Sequence, residues 1–335
     1  MKFRTVIQAP DLYPKVQYGD ELVLLGSCFA AEMAQRLAER KMLAHNNPIG
    51  ILYNPMSILN VFELLNVQFE ISDEGLIRHN GIWHSFFHHG QFSHPDQRVL
   101  KDRISKAHEA TLNGLLKAKW LILTFGTAFI YRHIEREMVV GNCHKLPSKS
   151  FKRERISLME CVQAVEKTIQ IARSINPNLS VLCSVSPIRH QRDGFIENQR
   201  SKATLLLAVD QVCNRMERVH YFPSYEIMMD DLRDYRFYAK DLIHPNEVAV
   251  DYIWHLFSEA IIDDETKDRI ARIEKINLAR QHRQIHAQSP EIQVFANKHL
   301  EKIVALQNEL PMISFEEDVL YFRSLLHSFE EKKSN

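Results

Sequence analysis

Glycine is scarce in this chain, with 10 residues in 335, and no two glycines are separated by a single residue. The dinucleotide-binding pattern GxGxxG is therefore ruled out, and the phosphate loop GxxxxGK is missing as well. GxSxG, the nucleophile elbow of ordinary α/β-hydrolases, is absent too. The five cysteines (Cys28, Cys143, Cys161, Cys183, Cys213) are an odd number with no CxxC pair. They suggest neither a disulfide framework nor a structural zinc site, and a reducing cytoplasm is the simplest compartment. Cys161, Cys183 and Cys213 fall in apolar-periodic segments and read as buried thiols. Net charge is also lacking, because 42 basic residues cancel 42 acidic ones. Such a balance gives no general attraction to nucleic acid or anionic membrane. No apolar window reaches the length of a membrane span. Residues 1–20 are interrupted by Gln8, Asp11, Lys15 and Gln17, unlike a signal peptide. The expectation is a soluble cytoplasmic protein with no cofactor and no nucleic-acid or membrane partner.

What the chain does contain is a serine at a telling junction. Ser27 follows the apolar run Leu22-Val23-Leu24-Leu25 and Gly26. After it the spacing turns helical: Phe29, Met33 and Leu37 form one row, and Ala30, Ala34 and Ala38 a parallel row of small residues. A buried strand thus ends at Gly26, and a helix begins about two residues later. A hydroxyl there stands at the mouth of a sheet, near backbone N–H groups with no intrahelical partner. A nucleophile placed so can have its oxyanion stabilised by fixed dipoles. A plain helix cap satisfies the same pattern.

Far downstream, Asp241-Leu242-Ile243-His244-Pro245-Asn246 places an Asp and a His on one turn. A carboxylate so placed can fix the imidazole tautomer and leave the other ring nitrogen to take a proton from a hydroxyl. Pro245 keeps His244 out of the helical region and suits the first turn of the helix that follows, Val248 to Ile261. A surface loop entering a helix, with Asp241 as a turn residue, accounts for the same letters.

Alternating strands and helices organise the rest. Strands are expected at Met42–Asn46, Trp120–Phe125, Val181–Val185 and Val219–Pro223. Helices are expected at Pro55–Asn66, Ile104–Ala118, Ile156–Ser174 and Ile196–Arg218. Hairpins are expected within 70–92, around Asn80-Gly81, and at Phe129–Val140. This order predicts a doubly wound parallel sheet whose ligands bind at the carboxyl ends of the strands. Ser27, Thr127, Ser186 and the loop bearing Asp241 and His244 all fall on that edge. Residues 1–263 form this domain. Residues 264–335 lack glycine and read as an extension of three helices, divided near Ser289-Pro290 and Pro311. Their apolar rows are Ile270, Ile273 and Ile276; Leu300, Ile303, Val304 and Leu306; and Val319, Leu320, Phe322, Leu325, Leu326 and Phe329.

Other side chains compete for a role. His84, His88, His89 and His94 cluster around aromatic residues and could gather a transition metal or line a substrate pocket. In a hairpin, His84 and His88 share a face and His89 points away. No HExxH accompanies them. Cys28 sits where a helix N-terminus can lower a thiol pKa, but a helix starting at Cys28 turns that side chain toward the sheet. Arg189, His190, Arg192 and Lys202 follow a strand and can offer positive charge to a polar or anionic substrate.

Gly26-Ser27-Cys28-Phe29-Ala30 resembles the signature for which the GSCFA family is named, a family within the SGNH (GDSL-like) hydrolases. Asn47-Pro48-Ile49-Gly50, Phe125-Gly126-Thr127-Ala128, Asn142-Cys143-His144-Lys145, Ser186-Pro187-Ile188-Arg189-His190 and Asp241 to Pro245 are similar to the same family. The likeness runs from about residue 20 to 260. It implies a three-layer α/β/α sandwich with Ser27 as nucleophile, His244 as base and Asp241 as its orienter. It also implies esterase or acyltransferase action on a small-molecule or glycan ester. SGNH enzymes usually carry an oxyanion-donating Asn where this chain has Ala128. The expected donors are instead the amides of Ser27 and Gly50 and a group near Gly126 and Thr127, with Asn142 and His144 as further candidates. A binding protein that keeps the fold without turnover is the alternative. A metal-dependent phosphoesterase relying on His88 is a third reading.

Overall fold

The structure, a computed structural model, describes residues 4–66, 72–281 and 290–330. It parts into two compact units, one of residues 1–14, 20–36 and 44–261 and one of 15–19, 37–43 and 262–335. The first unit is built on strands β1 (Glu21–Gly26), β2 (Leu43–Asn46), β5 (Ala118–Phe125), β9 (Ser180–Val185) and β10 (Val219–Phe222). They form a five-stranded sheet in the order β10-β9-β5-β1-β2, with parallel β1/β5, β5/β9 and β9/β10 pairs. This is a doubly wound order, and its strand sequence reverses between β1 and β5.

Helices cover both faces and give the three-layer α/β/α sandwich. On one face Val23, Leu25, Leu121, Leu123, Val181 and Cys183 pack under α2 (Pro55–Asn66), α4 (Leu158–Ile175) and α5 (Phe195–Arg215). Leu22, Leu24, Ile122 and Leu182 alternate to the opposite face and are as deeply buried. On that side Phe257 of α7 (Glu247–Ile261) meets Phe222 edge-on at 5.5 Å. Arg36 of α1 (Cys28–Glu39) pairs with Asp251 of α7 at 2.9 Å. The central strands β1, β5 and β9, buried on both faces, read as apolar runs and were legible for that reason. Each fully buried Leu or Ile contributes about 1.5–3 kcal/mol.

Smaller sheets are inserted between these elements. The β3 (Leu76–His79) and β4 (Ile82–Ser85) hairpin turns on Asn80 and Gly81, both at positive φ, as its Asn-Gly pair demands. Residues 70 and 71 of the expected hairpin lie outside the described residues. Helix α3 (Gln97–Lys117) starts a turn or two before the expected Ile104, capped by Asp96 at 2.7 Å from the Arg98 amide. Its polar opening, Gln97 to Arg103, hid the periodicity. The hairpin of β6 (Phe129–His133) and β7 (Met138–Val140) gains a third strand, β8 (Phe151–Arg155), on β6. β8 reads FKRER, an edge strand too polar to register as one. A short turn, α6 (Ser224–Glu226), follows β10.

The second unit carries α8 (Asp264–Gln281), α9 (Pro290–Glu309) and α10 (Glu316–Glu330). Ile273, Ile276, Ala296, Ile303, Leu306 and Phe322 form its core. Val304 and Leu320, counted above in apolar rows, instead face solvent at 58% and 59% exposure. The Asp318 carboxylate, wholly buried, receives Lys41 at 2.8 Å and Arg280 at 2.6 Å. Pro311 falls between α9 and α10, whereas Ser289 and the side chain of Phe329 lie outside the described residues. Among the described residues no helix is long and apolar enough to cross a membrane.

The switch between β1 and β5 depends on Gly26. Its φ is +134°, and a Cβ there would sit 2.1 Å from the Thr124 carbonyl oxygen. Gly26→Ala should therefore destabilise the protein by about 3 kcal/mol or more, read as a lowered denaturation midpoint in urea.

Candidate active site

A cavity of about 820 Å³ opens at the carboxyl ends of β1, β5 and β9, lined there by Ser27, Thr127 and Ser186. Ser27 lies between β1 and α1, its amide donating to the Thr124 carbonyl at 2.9 Å. The Ser27 hydroxyl accepts from the Phe29 amide at 3.3 Å and is only 1% exposed. Ser27 thus caps α1 and lines the cavity at once, joining the two sequence readings. Phe29 and Ala30 turn to the core. Cys28, expected to face the sheet, instead lines the cavity, its Sγ 3.5 Å from the Tyr53 hydroxyl. Because Ser27 occupies the cap, Cys28 is the first helical residue and falls on the open side.

Asp241 and His244 are joined as their spacing suggests. One Asp241 oxygen accepts from the amides of Ile243 at 2.9 Å and His244 at 3.0 Å. The other lies 2.6 Å from His244 Nδ1. These bonds, the backbone ones first, hold the Asp241 carboxyl at about 2, so it stays ionised near neutrality. An ionised partner puts the imidazole proton on Nδ1 and leaves Nε2 as the acceptor. Leu242, at φ +58°, makes the tight turn. Pro245 lies ahead of α7 rather than in its first turn, because Asn246 takes the capping role toward the Ala249 amide at 3.1 Å. His244 and Ser27 line the same cavity, and no hydrogen bond joins them among the described residues.

The expected oxyanion donors are largely consumed by the fold. The Ser27 amide is taken by Thr124, the Gly50 amide by the Asn47 carbonyl at 2.7 Å, and the Gly126 and Thr127 amides by the Tyr53 carbonyl at 2.7 and 3.1 Å. Gly50 and Gly126 do not line the cavity. The Thr127 hydroxyl shares a bond with Ser201 at 3.1 Å and accepts from the Phe129 amide at 3.0 Å. His144 donates Nε2–H to the Ser85 carbonyl at 2.7 Å. Burial depresses its pKa to about 4, so it is neutral with no second N–H to offer. Asn142 accepts from the His144 amide at 2.9 Å and lines the cavity.

Two donors remain open, an amide at the start of α1, as the sequence suggests, and Asn54, which the sequence did not single out. The Cys28 amide is the first of α1, and such amides have no intrahelical partner. Asn54, 7% exposed, lines the cavity. Its Oδ1 caps α2 by accepting from the Ser57 amide at 2.8 Å. That bond fixes the side-chain amide and leaves Nδ2 without a partner among the described residues. The signal was an Asn just before Pro55, a helix-start pattern.

The residues after β9 divide by role. Arg189 lines the cavity, but its guanidinium rests over the Phe195 ring at 4.2 Å and donates to the Leu242 carbonyl at 3.1 Å. Its amide bonds the Ile243 carbonyl at 3.2 Å, so Arg189 holds the Asp241–His244 turn against the sheet. The His190 ring lines the cavity with a buried, unpartnered Nε2. Burial, then Lys202 and Arg153, lower its pKa to about 4. Lys202, weighed above as a substrate contact, is wholly buried instead. Its ammonium ties the Gly126 and Ser186 carbonyls at 2.7 and 2.6 Å, clamping the ends of β5 and β9.

The clustered histidines are engaged elsewhere. His84 stacks on His144 at 4.5 Å and bonds Ser93 at 2.7 Å. His88 does not share its face, because β4 ends at Ser85 and His88 turns inward to meet His108, Nε2 to Nε2 at 2.7 Å. His89 and His94 each accept from a backbone amide two residues on. Cys161 and Cys183 are buried as expected, whereas Cys213 is half-buried.

Burial lowers the Lys202 pKa from 10.5 to about 7. Between these values the unfolded chain binds more protons than the folded one, so this lysine makes stability rise with pH across that window. Lys202→Met should show a flatter rise between about pH 7 and 9 in urea melts compared with wild type.

Residues 21–257 match the GSCFA family, and residues 273–328 match the GSCFA domain protein, C-terminal domain. No curated protein matches the chain. A family 3 carbohydrate esterase of Clostridium thermocellum is similar in structure at 10% identity and a TM-score of 0.33, over 75% of this chain and 98% of that one. An acetyl xylan esterase from the rumen bacterium Butyrivibrio proteoclasticus is similar at 11% identity and a TM-score of 0.34, over 62% of this chain and 56% of that one. With its signature at Gly26 to Ala30 and a match spanning the whole sheet, the chain belongs to the GSCFA family.

Proposed function

We propose that this protein is an SGNH-type serine ester hydrolase or acyltransferase acting on a small acyl ester of a polar substrate, such as a glycan. The observation that carries the reading is the Asp241–His244 pair, 2.6 Å apart, on the cavity that Ser27 lines at the sheet's switch point. Ser27 Oγ leaves its long bond to the Phe29 amide, passes its proton to His244 Nε2 and adds to the acyl carbon. The resulting oxyanion accepts from the Cys28 amide and Asn54 Nδ2. On collapse the alkoxide leaves with the proton returned by His244, and acyl-Ser27 remains. Water or an acceptor hydroxyl then repeats the steps through the same base. Asp241 stays ionised throughout and stabilises the imidazolium.

A second reading, a ligand-binding protein without turnover, draws on the Ser27 hydroxyl being buried and engaged as a cap. Kinetics separate the two. On 4-nitrophenyl acetate, Ser27→Ala and His244→Ala should each lose on the order of 10⁴-fold or more in kcat, with the double variant scarcely worse, because the pair acts as a unit. Asp241→Asn should lose less than either single variant. Losses that multiply in the double variant would contradict a shared mechanism, and wild-type protein without turnover would favour the binding reading. Asn54→Asp keeps the α2 cap but removes the donor. It should cost about 10²–10³-fold in kcat with little change in Tm.

A further inference from the structure

We infer that the substrate carries an anionic group, bound by Arg192 and Lys145 beside the ring of Tyr131; this rests on the ester-hydrolase reading above. The cavity lining contains Lys145, Arg153, Arg189 and Arg192 and no carboxylate, in a chain whose charges cancel overall. Two of these cations are already served. Arg153 forms a two-pronged pair with Asp193, and Arg189 donates to the Leu242 carbonyl. Arg192 and Lys145 make no hydrogen bond or ion pair among the described residues.

Their positions are built rather than incidental. The Arg153–Asp193 pair ties the turn after β9 to β8. Through Asp193 it sets the neighbouring Arg192 with its guanidinium 5.1 Å from the centre of the Tyr131 ring. Arg153 packs on the same ring at 4.6 Å, so two cations share one aromatic ring while Arg153 alone takes the carboxylate. Lys145 is carried by a pair of left-handed residues, His144 at φ +48° and Lys145 at φ +59°. That turn is held by the bonds from the His144 amide to Asn142 and from its ring to the Ser85 carbonyl.

Chemistry narrows the ligand. Arginine and lysine side chains donate hydrogen bonds and accept none, and the open Nδ2 of Asn54 is a donor as well. A neutral sugar needs acceptors for its own hydroxyls, and carboxylates usually supply them. The lining also holds hydroxyls and the His244 ring, but Arg192 and Lys145, which only donate, are met by an acceptor-only group: a carboxylate, sulfate or phosphate. The group can stand on the acyl side, as in a dicarboxylic half-ester, or on the alcohol side, as in a uronate or sulfated glycan. A cavity of about 820 Å³ holds either beside the ester.

Matched esters test this on the full chain: 4-nitrophenyl butyrate against 4-nitrophenyl hemisuccinate for the acyl side, and phenyl acetate against 4-acetoxybenzoate and 4-acetoxyphenyl sulfate for the alcohol side. At low ionic strength one anionic ester should exceed its neutral partner in kcat/KM by about tenfold or more, identifying the side. Salt should erode that ratio, and Arg192→Gln with Lys145→Gln should bring it toward one. Ratios at or below one in every pair, or a ratio that survives the double substitution, would overturn the inference while leaving the hydrolase reading intact. If no ester is turned over, that reading fails separately, and thermal shifts decide. A rise in Tm with glucuronate or succinate but not glucose, lost in the double variant, supports the anion site; no such rise overturns it.

Discussion

Thr124, at the end of β5, offers its carbonyl to the Ser27 amide at 2.9 Å across the point where the strand order reverses. Gly26 permits this approach, since any Cβ there would collide with the same oxygen. The contact decides where Ser27 stands, which residue opens α1, and therefore that Cys28 rather than Phe29 faces the cavity. It also removes the Ser27 amide from use as an oxyanion donor. One close approach of two parallel strands thus places the hydroxyl and dictates which neighbouring N–H groups remain open.

Around this contact, buried polar groups act as braces. Lys202 joins the carbonyls ending β5 and β9, and the Tyr53 carbonyl gathers the amides of Gly126 and Thr127. Arg189 fastens the Asp241–His244 turn to the loop after β9. None of these groups needs to touch substrate. A buried polar group is costly unless bonded, so each brace also fixes the geometry of what it bonds. The dyad itself stays half-exposed, with side-chain exposures of 50% for His244 and 45% for Asp241. That leaves the imidazole accessible from the cavity it lines.

Much of the fold was legible because its strands are buried on both faces and its helices keep strict apolar rows. The Asp241–His244 spacing was legible because its bonds lie within a few residues, and the Ser27 junction because the change from apolar run to helical spacing is itself local, although the contact with Thr124 that fixes it is not. The Tyr53 carbonyl and Lys202 were not, because their roles arise from backbone groups distant in sequence, and Asn54 was not, because its cap is local but its place on the cavity is set by the fold. The fate of the Gly50 and Thr127 amides was hidden for another reason, as no side-chain letter records which carbonyl an amide meets, near in sequence or far. β8 escaped because an edge strand exposed to solvent shows no apolar alternation. His88 escaped because the chain leaves the strand at Ser85 and turns it inward.

The central claim is that Ser27 is a nucleophile served by His244. Reaction with a fluorophosphonate tests it most directly, because the adduct resembles the tetrahedral intermediate and requires base and oxyanion donors together. The adduct should map by mass spectrometry to Ser27, persist in Cys28→Ser and form far more slowly in His244→Ala. Labelling at Cys28 or at another serine, or none on folded protein, would contradict the account.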